Sequence, residues 1–115
     1  MDDRDPHIRR RSLIADLQRL ASGWTPDVGT LAAAPSIDNW YVDFYPGGRE
    51  ICLVGKVTGH PHLGDQVVTT SPIVAIDPHL QWARTHGRFY RMGKRADVRI
   101  MGTAAPAIDG PSQCH

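Results

Sequence analysis

The fold is decided by residues 39–58, NWYVDFYPGGREICLVGKVT. In the first part of this stretch Trp40, Val42 and Phe44 alternate with other residues, and this period of two predicts a half-buried strand. A Pro-Gly-Gly turn follows. The apolar and β-branched run from Ile51 to Thr58 then predicts a second strand that returns beside the first. The stretch therefore predicts an antiparallel hairpin.

Three further strands are predicted after this hairpin, at Val67–Ile76, Leu80–Thr85 and Arg88–Met92. Pro72 interrupts the first of them, and because proline cannot donate a ladder hydrogen bond, it implies a sheet edge or a bulge. His86-Gly87 predicts a two-residue turn between the other two strands. Five short strands in this order predict a small antiparallel β-meander that forms a curled sheet or a small open barrel.

Two helices are predicted ahead of the strands. From Ser12 to Gly23 apolar residues recur at helical spacing, and a helix this short is stable only when its apolar stripe packs on another element. Thr25 followed by proline predicts the start of a second helix of one or two turns, and Pro35 ends it. We therefore expect an α+β fold with one or two N-terminal helices packed on the sheet.

The length of 115 residues suits one domain, and 41% hydrophobic with 22% charged residues is typical of a folded chain. The charged segment 1–8 predicts a flexible N-terminus. The α+β domain is then expected over residues 9–102. Residues 103–115, rich in alanine, proline and glycine, predict a disordered tail.

Charge and composition also indicate which partners and which cellular location to expect. A net charge of +1 gives no global field that would hold a polyanion. Two cysteines do not make a disulfide framework, and no run approaches the ~18 apolar residues of a membrane helix. The first residues do not resemble a secretory signal. We expect a cytoplasmic protein without a membrane partner.

One motif could carry metal chemistry. His60, His62 and Asp65 lie in a Gly-rich loop, and imidazole and carboxylate groups are ligands of zinc and other transition metals. A metal-dependent enzyme is therefore one hypothesis. Pro61 bends the chain between the histidines, so the competing interpretation is a hairpin loop in which His60 or Asp65 hydrogen-bonds the backbone. On balance we expect no metal and no cofactor.

Nucleophilic catalysis is a weaker possibility at Ser71, which follows Thr70 within the predicted strand Val67–Ile76. A catalytic serine needs a strained turn, a base in contact and an oxyanion site, and the sequence has no nucleophile elbow. We expect that the protein is not an enzyme.

A basic and aromatic segment, Arg84–Arg95, could bind nucleic acid. It begins next to Trp82 and includes Arg88, Tyr90 and Arg91. Aromatic rings can stack on bases while guanidinium groups meet phosphates. The competing interpretation is structural, because alternation along a strand places one set of these residues in the core and the other at a solvated edge.

The central part of the chain contains, in order, Gly59-His60-Pro61, Asp65, Thr70-Ser71, Arg84-Thr85 and Tyr90-Arg91-Met92-Gly93. This order resembles a family of short uncharacterised bacterial proteins from alphaproteobacteria and from phage-like or mobile regions. The family pattern has glycine where this chain has Gln66, and leucine where it has Met92. The family has no established activity. The resemblance implies the same fold and a bacterial or phage setting, and it transfers no function.

The polar positions of that pattern suggest a shared role. We hypothesise that His60, Thr70, Ser71, Arg84 and Tyr90 form one network across neighbouring strands. Such a network could fix strand register, or it could form the floor of a binding site. The structural role is favoured.

The leading functional hypothesis is a non-catalytic protein-interaction module. In this hypothesis the protein is an accessory or inhibitory protein of a bacterium or mobile element, and a defence complex is one candidate target. Three tryptophans and three tyrosines are many large side chains for so small a core, and exposed aromatic residues favour protein interfaces. The nucleic-acid and metal-enzyme hypotheses are the alternatives, and a homodimer formed through an edge strand is compatible with each of them.

Overall fold

The computed structural model describes residues 5–96, which form two helices and six strands. The elements are α1 (Pro6–Ala21), α2 (Val28–Ala33), β1 (Ser36–Phe44), β2 (Ile51–Thr58), β3 (Gln66–Thr69), β4 (Ile73–Ile76), β5 (Trp82–Thr85) and β6 (Phe89–Met92). The predicted α+β class, with one main helix, one short helix and a curled sheet that does not close, is confirmed.

The strands form one sheet in the order β3-β2-β1-β6-β5-β4. All neighbours pair antiparallel except β1 and β6, which are parallel. The sheet is therefore mixed, and the predicted simple meander is wrong in this respect. The parallel pairing depends on residues far apart in the chain, because β1 pairs with β2 along one edge and with β6 along the other. Parallel strands are not joined by a tight turn that a local sequence motif could indicate.

The curl of the sheet follows from the connection between β3 and β4. These strands occupy opposite edges of the sheet, although only residues 70–72 join them. In a flat sheet the two edges would be about 24 Å apart, five strand spacings of ~4.8 Å. Three connecting residues reach only about 14 Å. The sheet must therefore bend until its edges approach each other. Pro72 lies in this connection, and the single third strand predicted over Val67–Ile76 is instead two strands, β3 and β4, on opposite edges of the sheet.

The hydrophobic core lies on the inner face of the curled sheet. Its buried members are Ile37, Trp40, Leu53, Val57, Val68, Ala83, Tyr90 and Met92. A bulge in β1 between Asp38 and Tyr41, with Asn39 in the left-handed region at φ 51°, accompanies the burial of Trp40. Such a bulge re-aims a side chain without ending the strand.

Helix α1 begins at Pro6, six residues before the predicted start at Ser12. The side chain of Asp5 accepts a hydrogen bond from the backbone N–H of His7 at 2.8 Å, and Pro6 occupies the first turn, where its missing N–H costs nothing. The helix thus extends into segment 1–8. The predicted tail, residues 103–115, lies outside the described residues, and the domain limits stay a prediction.

Helix α2 also starts differently from the prediction. Its N-cap is Asp27, whose carboxylate accepts from the backbone N–H of Thr30 at 2.8 Å, whereas Thr25 had been expected to cap it. Both residue types are good caps, so composition alone could not choose between them.

The expected packing of the apolar stripe of α1 is only partly realised. Ile14 is 47% exposed and Leu17 is 36% exposed, whereas the buried residue of the helix is Asp16. A polar contact therefore anchors the helix to the sheet. No helix within residues 5–96 has the length and apolar composition needed to cross a membrane.

Candidate functional site

The strand register divides the predicted polar set between the two faces of the sheet. Ala83 pairs with Tyr90, and Arg84 pairs with Phe89. Because successive side chains alternate, Tyr90 points to the core while Arg84 points to the outer face, where α1 lies. The single network predicted for these residues is therefore split.

The outer face contains a buried ion pair between Arg84 and Asp16. The Nε of Arg84 donates to Oδ2 of Asp16 at 3.0 Å, and its Nη1 donates to the carbonyl oxygen of Thr85 at 2.8 Å. Arg84 is 1% exposed and Asp16 is 8% exposed. Burial lowers the pKa of the Arg84 guanidinium, and the Asp16 carboxylate opposes that shift. The pair fastens the middle of α1 to β5.

The turn between β5 and β6 is fixed by hydroxyl groups. The backbone N–H of Gly87 donates to Oγ of Ser71 and to Oγ1 of Thr85, both at 3.2 Å. Thr70 contributes separately, since its hydroxyl accepts from the N–H of Leu53 at 3.0 Å and donates to the carbonyl oxygen of Ser71 at 2.8 Å. Thr70 and Ser71 thus tie the β3–β4 connection to its neighbours.

A cavity of about 230 Å³ lies between α1 and this turn. We call it the arginine cleft, and its walls are Ile8, Arg9, Ser12, Asp16, Arg84, Gly87, Arg88 and Phe89. The positive charge of Arg88 also lowers the pKa of Arg84, after burial and in opposition to Asp16. Arg84 and Arg88 therefore lie near each other in the wall of the cleft, together with the carboxylate of Asp16.

The aromatic part of the basic segment is covered. Trp82 and Phe89 are each 7% exposed, and their ring centroids are 5.7 Å apart. Trp24 closes over Phe89 at 6.1 Å. Arg91 donates through Nη1 to the carbonyl oxygen of Leu31 at 2.7 Å. This hydrogen bond links β6 to the C-terminal end of α2. These rings are not available to stack on bases, and this arrangement does not favour the nucleic-acid hypothesis.

The histidine loop folds back on itself. Nδ1 of His60 accepts from the backbone N–H of His62 at 3.0 Å, which is the backbone contact that the competing interpretation anticipated. The ring of His60 also lies 6.5 Å from the ring of Tyr90. Within residues 5–96, no group of three metal-ligating side chains converges, so Asp65 does not complete a site with the two histidines.

The end of the β1–β2 hairpin presents apolar side chains to solvent. Phe44 is 71% exposed, Val42 is 44% exposed and Ile51 is 41% exposed. Phe44 pairs with Ile51, and Val42 pairs with the buried Leu53, so all of them share the face that continues into the core. We call Val42, Phe44 and Ile51 the hairpin patch.

The fold and these surfaces define a small α+β domain with a helix-covered, curled mixed sheet. The chain belongs to the family of unknown function DUF6634, whose model matches residues 11–113. This result confirms the prediction of an uncharacterised family with no established function. No curated protein and no solved structure matches the chain significantly.

Asp16 and Arg9 line the arginine cleft but were not among the predicted site residues. A signal for Asp16 was present, because it lies three residues after Leu13 and one before Leu17, on the apolar stripe of α1. A carboxylate at such a position requires a buried cation as its partner. Arg9 belongs to the basic run 9–11, but its place over the β5–β6 turn depends on the docking of the helix.

Proposed function

We propose that this protein is a non-catalytic protein-interaction module that acts in the cytoplasm as an accessory or inhibitory protein of a bacterium or mobile element. The observation that carries the proposal is the hairpin patch, three exposed apolar side chains on one face at the end of the β1–β2 hairpin. The resemblance to short bacterial and phage-associated proteins supports the setting.

Leaving the hairpin patch in water costs free energy. Burying one large apolar side chain is worth about 1.5–3 kcal/mol, so a partner that covers all three gains several kcal/mol. Phe44 is an aromatic residue at the centre of the patch, the type of residue that anchors protein interfaces. Three charged residues close to it in the chain, Asp43, Arg49 and Glu50, are also exposed.

The occupant that this chemistry fits is a folded protein with an apolar pocket for Phe44. A polyanion would gain nothing from the patch, because the patch carries no charge. A second copy of this chain could also cover it, and that is a distinct outcome of the test below.

The test is an affinity capture from the lysate of a bacterium that encodes the protein, with and without nuclease, followed by titration with the purified partner. The altered bait is Phe44→Ser. The control bait is Val28→Ser, which removes an apolar side chain that is 85% exposed on α2. Arg88→Gln is a further bait for the nucleic-acid alternative.

We expect one stoichiometric protein that survives nuclease, is retained by Val28→Ser and binds Phe44→Ser at least about 30-fold more weakly, the equivalent of about 2 kcal/mol. A partner retained equally by Phe44→Ser would refute the assignment of the patch. Loss of all binding on nuclease treatment would move the function to nucleic acid. Self-association abolished by Phe44→Ser would identify a homodimer.

A further inference from the structure

Helix α1 is held on the sheet by few buried groups. The structure describes every residue of this helix, and among them Asp16 alone is buried. Ile8, Leu13 and Leu20 are only half-buried, and Ile14 is 47% exposed. An element that buries so little apolar surface belongs to the least stable parts of a folded domain. The strands, in contrast, supply all the buried members of the hydrophobic core.

The space beneath α1 is also incompletely filled. The arginine cleft, with its volume of about 230 Å³, has Asp16 of the helix and Arg84 and Phe89 of the sheet among its walls. Protein interiors normally have few voids larger than a water molecule, because each atom gains dispersion energy from close neighbours. The contact between the helix and the sheet therefore lacks part of the packing energy that a filled contact would provide.

The central contact of the helix is the ion pair between Asp16 and Arg84. The distance from Nε to Oδ2 is 3.0 Å, and Arg84 is 1% exposed. A buried pair gives little net stabilisation, because the desolvation of both charges opposes their attraction. If the whole helix leaves the sheet, however, water can reach both charges again. The pair therefore favours the docked position of α1 without making the helix a part of the core.

The boundary of this weakly held unit lies at Gly23. This glycine directly follows the C-cap Ser22 and has φ 99°, in the left-handed region that glycine adopts without strain. The next residue, Trp24, packs on Phe89 with the ring centroids 6.1 Å apart. The chain is therefore held on the sheet from Trp24 onward, and Gly23 can absorb the change in backbone angles when the preceding helix moves.

We propose that α1 is a lid over the outer face of the sheet and that it opens as a unit, up to Gly23, while the strands remain folded. In the closed state Asp16 neutralises Arg84. In the open state solvent reaches the guanidinium of Arg84 and the part of Phe89 that lines the arginine cleft. The lid thus controls access to a cationic and aromatic surface that the closed molecule hides.

This inference does not rest on the proposed function, because no residue of the hairpin patch lies in α1 or β5. The experiment is hydrogen exchange of the full-length, isotope-labelled chain, followed by NMR under native conditions. An undocked helix of 16 residues is only marginally stable in water, so its amides exchange once the lid opens. The N–H at Nε of Arg84 reports on the same event from the sheet, because it donates to Asp16 only in the closed state.

We expect two levels of protection. The core amides are those of Leu53 and Met92, whose N–H groups donate to Oγ1 of Thr70 and to the carbonyl oxygen of Gln81. The amides of α1 should be at least about 100-fold less protected than these, since they exchange through a local opening. The N–H at Nε of Arg84 should have the opening equilibrium of the α1 amides and not that of the core amides.

Two variants separate the lid from the sheet. Asp16→Ala removes the counter-charge of Arg84 and should lower the protection of the α1 amides about 100-fold. Asp65→Ala is its matched control, since it removes an exposed carboxylate and should leave this protection unchanged. Val57→Ala truncates a core side chain that is 0% exposed, so it should lower the protection of the core amides about 30-fold and leave the α1 amides unchanged.

Three outcomes would overturn the proposal. Equal protection of the α1 amides and the core amides in the unaltered chain would show that the helix opens only when the whole domain unfolds. If the α1 amides exchange fast while Nε of Arg84 keeps the protection of the core, the helix frays without releasing the ion pair. Equal losses of protection in both sets of amides in Val57→Ala would show that the helix and the strands open together.

Discussion

Removing the carboxylate of Asp16 should destabilise the protein far more than its position on a surface helix suggests. Asp16→Ala leaves the guanidinium of Arg84 buried, at 1% exposure, without its counter-charge. Breaking a buried pair in this way costs about 3–5 kcal/mol. The side chain of Asp16 keeps 11% exposure, so we expect the lower end of this range, about 3 kcal/mol.

That loss is a large part of the roughly 5–15 kcal/mol that stabilises a domain of this size. It corresponds to a fall in melting temperature of about 12 °C or more, at about 4 °C or more for each kcal/mol. The assay is urea unfolding at neutral pH, followed by tryptophan fluorescence. The control is Asp65→Ala, which removes an exposed carboxylate and should change stability by less than about 0.5 kcal/mol.

A double variant separates the loss of the pair from the burial of an unpaired charge. Asp16→Leu combined with Arg84→Met removes both charges and keeps most of the volume, so its stability should return to within about 1 kcal/mol of the original or exceed it. If Asp16→Ala costs less than about 1 kcal/mol, the pair is not buried in solution. If the double variant is as unstable as the single one, the contact stabilises the fold through packing and the electrostatic reasoning is wrong.

Three further predictions concern single residues. In Gly55→Ala the new Cβ would lie 2.8 Å from the carbonyl oxygen of Asp38, so urea unfolding should show a loss of about 1–3 kcal/mol, whereas Gly64→Ala has open space and should change little. Burial raises the pKa of Tyr90 above 10.0, so the folded state holds the phenol proton more tightly than the unfolded state does. Stability should therefore fall as the pH rises from 10.0 through the folded pKa. In Tyr90→Phe the midpoint of urea unfolding should fall less over this alkaline range. The backbone hydrogen bond from Thr30 lowers the pKa of the Asp27 carboxyl below 3.8. The stabilisation from this carboxylate is therefore fully present above pH 3.8 and is lost as the pH falls through the folded pKa. Asp27→Ala should lower the melting temperature at about pH 7, and the difference from the original protein should become smaller as the pH is lowered below 3.8.

The elements that follow from local chemistry were predictable. The strand Ile51–Thr58 has the predicted limits, because a β-branched run bounded by turn residues has few alternatives. The break at Pro72 was predictable for the same reason, since the missing N–H acts within its own strand. The helix starts were less well predicted. Asp5 and Asp27 are the caps, and the sequence offers several acceptable caps near each helix.

At the candidate site, the alternation of residues along β6 did not predict which side chains are buried. Alternation predicted that one half of the β6 residues would face the core and the other half a solvated edge. Instead Phe89 and Tyr90 are both buried, because α1 and Trp24 cover the outer face. A period of two indicates that neighbouring residues of a strand lie on opposite faces of the sheet. It does not indicate whether a helix covers the second face.

The sequence by itself determined the α+β class, the hairpin over residues 39–58 and the positions of the turns, because these depend on residues close together in the chain. Only the tertiary structure decided the parallel pairing of β1 with β6 and the partner of Arg84. That partner, Asp16, lies 68 residues away. No local propensity links residues so far apart, and their contact arises only when burial of the core curls the sheet and brings α1 onto its outer face.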